Sequence, residues 1–227
     1  MLPNRCLRAT TLALVLALIA LAQPTQILAQ QFKLEFKLGL SSTTFRGESL
    51  AEFNYKTGFA GGVGLGYDFG NGFAVQPEIL YLVKGAESEC LFTGDACIDL
   101  DNAQGADGLA IHAKFDLTYL DIPVLLVYRF DTNGRLHPKL FAGPSVAMKL
   151  DATVTFRPLE GGVEQESEDT SVENFDVGLV FGGGFEYDVG DNRVSLGARS
   201  VLGFANTRQV EPALHNTGFV VFVGMIF

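Results

Sequence analysis

From residue 32 the chain reads Phe32-Lys33-Leu34-Glu35-Phe36-Lys37-Leu38-Gly39-Leu40, apolar at every even position and polar or glycine at every odd one. Side chains on a strand point alternately to opposite faces, so nine residues of strict period two give a strand with one greasy and one polar face. The pattern returns seven times. Phe59, Val63, Leu65, Tyr67 and Phe69 share a face backed by glycines, and Phe73, Val75, Ile79, Tyr81 and Val83 are opposed by Gln76, Glu78 and Lys84. A fourth segment sets Leu120, Ile122, Val124, Leu126, Tyr128 and Phe130 against Asp121 and Arg129, and a fifth sets Leu140, Ala142, Val146 and Met148 against Lys139, Ser145 and Lys149. Phe175 to Tyr187 alternates against Asp176 and Glu186, Val194 to Phe204 carries Arg199 on its polar face, and Phe219, Val221, Val223, Met225 and Phe227 close the chain in register.

The connections alternate too. Gly70-Asn71-Gly72, Asp131-Thr132-Asn133-Gly134 and Gly190-Asp191-Asn192 are tight-turn sequences. The other four, roughly 43–57, 85–116, 151–173 and 205–215, are long and polar. Short turns at one end and long loops at the other are the arrangement of an outer-membrane barrel with both termini on the periplasmic side. A soluble sandwich is the competing reading. Strands of about ten residues suit a tilted membrane crossing, and Tyr67, Phe69, Phe73, Tyr128, Phe130, Phe185, Tyr187 and Phe227 gather at the short-turn end as an aromatic girdle. Closure also removes the sheet edges that lipid cannot hydrogen-bond. The expected fold is all-β, an eight-stranded antiparallel transmembrane up-and-down barrel. Pro77, Pro123 and Pro144 fall inside strands and predict a bulge or an unpaired position at each.

The first residues differ from the rest. Arg5 and Arg8 precede an apolar run from Leu12 to Ala22, followed by Pro24 and Ile27-Leu28-Ala29. This is the form of a secretory signal peptide, and the run is shorter than the ~20 residues of a spanning helix. Residues 1–29 are expected to be the leader, cut after Ala29 or alternatively after Ala22, leaving residues 30–227 as the barrel domain. Cys6 leaves with it, so Cys90 and Cys97 become the only cysteines, in an oxidising compartment where a disulfide across the second long loop is expected.

Gln76-Pro77-Glu78-Ile79-Leu80-Tyr81 with Lys84-Gly85, Tyr119-Leu120-Asp121-Ile122-Pro123-Val124-Leu125-Leu126-Val127-Tyr128-Arg129-Phe130, and Phe141-Ala142-Gly143-Pro144-Ser145 resemble the signatures of the PorT-like outer-membrane β-barrel family of Bacteroidota-type bacteria. The resemblance extends over nearly all of residues 31–227. It implies export to the outer membrane; the secretion role of the named member does not transfer on architecture alone. It also implies that the terminal strand ending at Phe227 is an assembly signal read by the barrel assembly machinery.

By parity, the charges facing the interior are Lys33, Glu35, Lys37, Glu78, Lys84, Asp121, Arg129, Lys139, Lys149, Asp176, Glu186 and Arg199. A barrel of eight strands has room only for its own side chains, so these are expected to form a structural charge network. The four long connections carry 17 acidic against five basic residues. The densest run, Glu164-Gln165-Glu166-Ser167-Glu168-Asp169, is read as a solvated loop, with weak divalent-cation binding as the sharper alternative. Asp99-Leu100-Asp101 begins like a calcium loop, but Ala103 and Gln104 stand where a ligand and the turn glycine belong. Gly62-Val63-Gly64-Leu65-Gly66 precedes a hairpin, not the helix of a phosphate loop, and its glycines are read as relieving crowding in the lumen. His112, His137 and His215 have no metal-ligand spacing, and no cofactor is expected.

A net charge of −10 excludes a nucleic-acid binder working through a basic face. The leading expectation is a monomeric, non-enzymatic barrel in contact with outer-membrane lipid, structural or binding an unidentified partner through its loops. A narrow solute channel is the alternative. A lipid-modifying enzyme using His112 or His215 with Ser171 and Glu173 ranks below it.

Overall fold

The computed structural model describes residues 31–47, 52–93, 97–102, 107–168, 172–205 and 214–227; the expected leader lies outside the described residues. The strands in chain order are β1 (Phe32–Gly47), β2 (Asn54–Gly70), β3 (Phe73–Phe92), β4 (Cys97–Asp99), β5 (Leu109–Arg129), β6 (Leu136–Pro158), β7 (Gln165–Glu168), β8 (Phe175–Val189), β9 (Asn192–Gly203) and β10 (Leu214–Ile226). Eight of them, all but the short β4 and β7, close into one antiparallel ring: β1 lies between β2 and β10, and β2 also pairs with β3. The seam joins the chain's two ends. Glu35 stands opposite Ile226, and Phe227 N–H donates to the Leu34 carbonyl at 2.9 Å while Leu34 N–H donates back to Phe227 at 3.2 Å.

The alternation decides which face goes where. Along β1, Phe36, Leu38 and Leu40 are exposed while Glu35 and Lys37 are buried. Phe219, Val221, Val223 and Phe227 at the other end of the chain are exposed in the same way. Apolar outside and charged inside is the reverse of a soluble protein and matches a lipid-facing wall. The girdle aromatics pack edge to face or tilted, with ring centroids 4.7 Å apart for Phe73–Tyr128, 4.9 Å for Tyr128–Phe130 and 5.2 Å for Tyr67–Phe69.

Two of the short turns follow from glycine. At the β2–β3 hairpin Asn71 (φ 55°) and Gly72 (φ 83°) both occupy the left-handed region, the requirement of the two-residue turn that matches strand twist. Gly190 (φ 62°) opens the β8–β9 turn. The three prolines each fall in a gap of one ladder without a change of register. Pairing jumps from Gly64–Glu78 to Tyr67–Val75 around Pro77, from Pro77–Val124 to Leu80–Asp121 around Pro123, and from Pro123–Ser145 to Leu126–Ala142 around Pro144. A missing N–H costs a rung, and the tertiary register survives it.

Three of the long polar connections, 43–57, 85–116 and 151–173, are more than half strand, which corrects their reading as loops; most of 205–215 lies outside the described residues. Residues 85–92 continue β3, 109–116 begin β5 and 151–158 end β6, flanked by β4 on β3 and by β7 on β6. The densest acidic run, read as a solvated loop, supplies β7. At about 3.3 Å per residue, the 23 residues of β6 extend to roughly 75 Å, whereas a tilted crossing takes only about 9–11 residues. The surplus forms a five-stranded sheet, β4-β3-β5-β6-β7, standing beyond the lipid-type wall at the end opposite the short turns.

A β-bulge marks the boundary. Tyr119 pairs with Lys149 and Thr118 with Asp151, so exposed Leu150 is left over; beyond it the inward-facing residues of β6 change from odd to even numbers. At the same level the ladder between β2 and β3 shifts between Tyr55 and Ala60. Hydroxyls of β1 cross to β3 there: Ser41 Oγ donates to the Val83 carbonyl at 2.6 Å and Thr43 Oγ1 to Gly85 at 3.0 Å. Gly85 (φ 143°) lies so close to the Phe115 carbonyl oxygen that a Cβ would overlap it.

Candidate functional site

Inward-facing charges from seven strands form one connected set of ion pairs. Lys33 and Arg129 each reach Asp68 at 3.1 Å. Arg129, Lys139 and Arg193 converge on Glu186 at 2.9, 3.1 and 3.3 Å. Lys139 continues to Glu35 at 3.7 Å, Glu35 to Lys37 at 3.2 Å, Lys37 to Glu78 at 2.5 Å and Glu78 to Arg199 at 2.7 Å. Ser195 Oγ donates to Glu35 at 2.5 Å, and Gln76 Nε2 donates to both Glu35 and Glu78 at 2.8 Å. A buried charge is tolerated when its partners and hydrogen bonds are complete, and Glu35, Asp68, Glu78 and Glu186 each have at least two donors.

Of the twelve charges assigned to the lumen, Lys33, Glu35, Lys37, Glu78, Arg129, Lys139, Glu186 and Arg199 belong to this set. Lys84 and Asp176 make a separate pair at 3.4 Å, with the Lys84 ammonium 5.0 Å from the centre of the Tyr119 ring. Asp121 accepts a short hydrogen bond from Ser145 Oγ, and Lys149 donates to the Val172 carbonyl at 2.6 Å; the structure gives these two polar partners that carry no charge. The sequence reading missed Asp68, Arg193 and Asp188. Asp188 shares the parity of Asp176 and Glu186, and Arg193 that of Arg199, so extending the alternation into the turns would have found them. It also missed the pair of buried Lys56 with Asp116 at 2.5 Å, because β2 is irregular there. Asp188, beyond the aromatic girdle at the periplasmic turn, is held below its ordinary carboxylate range first by the His137 hydrogen bond at 3.0 Å and then by Arg193.

Apolar side chains fill the space between these polar groups. Leu82, Leu125, Val127, Phe141, Val180, Val201, Val220 and Phe222 are all buried in one cluster. The Arg199 guanidinium lies 4.8 Å from the centre of the Phe222 ring and 5.6 Å from that of Phe141. Nearer the outside, Phe45, Phe53 and Phe115 pack mutually with centroids 5.2 to 6.0 Å apart, beside Leu117 and Tyr119. Two cavities in the lumen, one beside Lys37, Asp121 and Arg199 and the other beside Lys33, Asp68 and Arg129, hold about 10 Å³ each, room for roughly one water.

The five-stranded sheet reverses the polarity of the wall below it. Its inner face carries Ala86, Cys90, Ile111, Ala113, Val154 and Phe156, and its outer face Glu87, Glu89, His112, Lys114, Asp116 and Arg157. On the inner face a groove of about 340 Å³ is lined by Phe92, Leu109, Ile111, Phe156, Pro158, Val163 and Gln165. Cys90, near the end of β3, is fully buried, and β4 returns antiparallel so that Asp99 stands opposite Cys90 and Cys97 opposite Phe92. His112 has Glu89 at 3.5 Å and Glu87 at 3.9 Å, and His215 Nδ1 faces the Ala205 carbonyl at 2.9 Å. Neither histidine has a serine hydroxyl among these partners, and Ser171 lies outside the described residues. Asp101 N–H donates to Asp99 Oδ1 at 2.8 Å. Among the described residues no three His, Cys, Asp or Glu side chains are grouped to hold a metal.

A closed antiparallel ring with a lipid-type outer face, an aromatic girdle, short turns at one end and a long sheet at the other is an outer-membrane β-barrel, and its place is the bacterial outer membrane. The chain belongs to the outer membrane protein beta-barrel domain family, whose profile matches residues 22–209. No curated protein matches it. Similar solved structures are those of Neisserial surface protein A (16% identity over 86% of this chain and 96% of that one, TM-score 0.45), Ail of Yersinia pestis (12%, 87% and 99%, TM-score 0.41) and OprG of Pseudomonas aeruginosa (11%, 87% and 96%, TM-score 0.44).

Proposed function

We propose that this protein is a non-enzymatic, non-conducting outer-membrane barrel that uses its extracellular sheet to bind a partner. The observation that carries the proposal is the contrast between its two halves: the lumen is filled by ion pairs and apolar side chains, while β3, β5 and β6 run far past any membrane requirement. Chain of that length ordered outside the lipid adds nothing to the membrane seal. The separation of His112 and His215 into different surroundings supports the non-enzymatic part of the reading. On the Tyr119 to Phe130 segment we place the chain in the PorT-like branch of its family, as a monomer whose last residue is recognised during assembly. We further propose a Cys90–Cys97 disulfide that fastens β4 to β3. Planar-bilayer recording of the refolded protein tests the main reading: a silent membrane is expected, and stepwise conductance overturns it.

A further inference from the structure

The outer sheet ends in an unusual edge. Among the described residues β7 pairs only with β6, through Gln165–Phe156, Glu166–Thr155, Ser167–Val154 and Glu168–Thr153, and all four of its residues are exposed. A strand in that position offers a row of backbone donors and acceptors to any extended chain. Its two faces differ. Gln165 and the neighbouring Val163 belong to the apolar groove, together with Phe156, Pro158, Leu109 and Ile111. Glu166 and Glu168 lie on the opposite face, level with Thr155 and Thr153, while Glu164 is already held by Arg157 at 2.6 Å.

We infer that β7 and the adjoining groove bind an extended polypeptide strand in which bulky apolar residues alternate with lysine or arginine. Added to the edge of β7, such a strand sends alternate side chains to alternate faces. The apolar set turns toward Val163 and the groove, whose volume falls within the range of small-ligand sites. The basic set meets Glu166 and Glu168 at cross-strand distance, where opposite charges attract and like charges repel. The same two glutamates disfavour pairing of β7 with a second copy of itself, so the edge selects a basic strand over its own. This inference rests on the partner-binding reading above and names the partner's chemistry.

Fluorescence anisotropy of the full-length protein in zwitterionic nanodiscs, with empty nanodiscs as the blank, tests it. The probes are short labelled peptides: alternating lysine and leucine, alternating glutamate and leucine, and a block peptide with the composition of the first. The alternating basic peptide binds and the other two bind at least about tenfold more weakly. Binding weakens with salt. The E166K/E168K double variant, altered only at exposed positions, loses about tenfold, and Val163→Asp, at a residue 81% exposed, weakens binding with no effect on folding. N-methylation of alternate peptide amides abolishes binding in one of its two phases, since only one phase donates to β7. Equal binding of the acidic or block peptide, indifference to both N-methylated phases, or no binding of the basic peptide overturns the inference. Bilayer recordings on the same preparations judge the closed-lumen reading separately, so a silent protein that ignores the peptides keeps that reading and loses this one.

Discussion

Glu78→Gln tests whether the lumen charges hold the barrel together. Glu78 is buried and accepts from Lys37 at 2.5 Å, Arg199 at 2.7 Å and Gln76 at 2.8 Å. Removing its charge affects the two cations unequally. Lys37 retains Glu35 at 3.2 Å, whereas the only ion pair of Arg199 among the described residues is with Glu78, which leaves it the faces of Phe222 and Phe141. Breaking a buried pair from one side typically costs about 3–5 kcal/mol, because the remaining charge is uncompensated. A ring contact repays about 1–2 kcal/mol at a desolvated site but is already present in the wild type, so the expected loss is about 3 kcal/mol. Removing both charges, as Glu78→Gln with Arg199→Met, deletes the orphan and should recover at least about 2 kcal/mol of it. Urea unfolding in bicelles, read by the band shift of unheated samples on a denaturing gel, measures both variants. A single variant within about 1 kcal/mol of wild type, or a double variant no better than the single, would refute the argument.

Three further outcomes are expected. Ile79→Arg and Leu91→Arg lie on the same strand with the same parity, yet only Ile79 faces lipid, so the first should destabilise by about 2–4 kcal/mol and the second by about 0.5 or less; equal effects would mean that the membrane boundary near Gly85 is misplaced. Deleting Phe227 removes both seam hydrogen bonds to Leu34 and should lower the amount of folded protein in the outer membrane, measured by surface labelling; normal levels would count against a terminal assembly signal. Thiol labelling of unreduced, denatured mature protein should find no reactive cysteine, and Cys90→Ser should leave the barrel's unfolding unchanged while loosening residues near 85–113 in hydrogen exchange. Two reactive thiols per chain would remove the disulfide.

Period two determined most of the barrel in advance. Phe36, Leu38 and Leu40 against Glu35 and Lys37 admit one placement in lipid, because a one-residue slip would put charge against hydrocarbon. That is why strand count, orientation and most of the lumen set were legible. Alternation stops being informative where lipid stops. Beyond Gly85 and Leu150 water can solvate either face, so Glu87, His112 and Arg157 read as loop although they stand on paired strands. The bulge at Leu150 then reverses which face the even positions of β6 occupy, and it leaves no local mark because Val146, Met148, Ala152, Val154 and Phe156 keep the apolar residues at even numbers on both sides of it. Which charge meets which was equally hidden. Lys37 and Glu78 are 41 residues apart and Arg199 and Glu78 are 121 apart, and only the shear and tilt of the closed ring bring them to one level. The sequence determined what faces lipid; ring closure decided how the inward charges are matched, and backbone pairing beyond the membrane built the groove and the acidic edge.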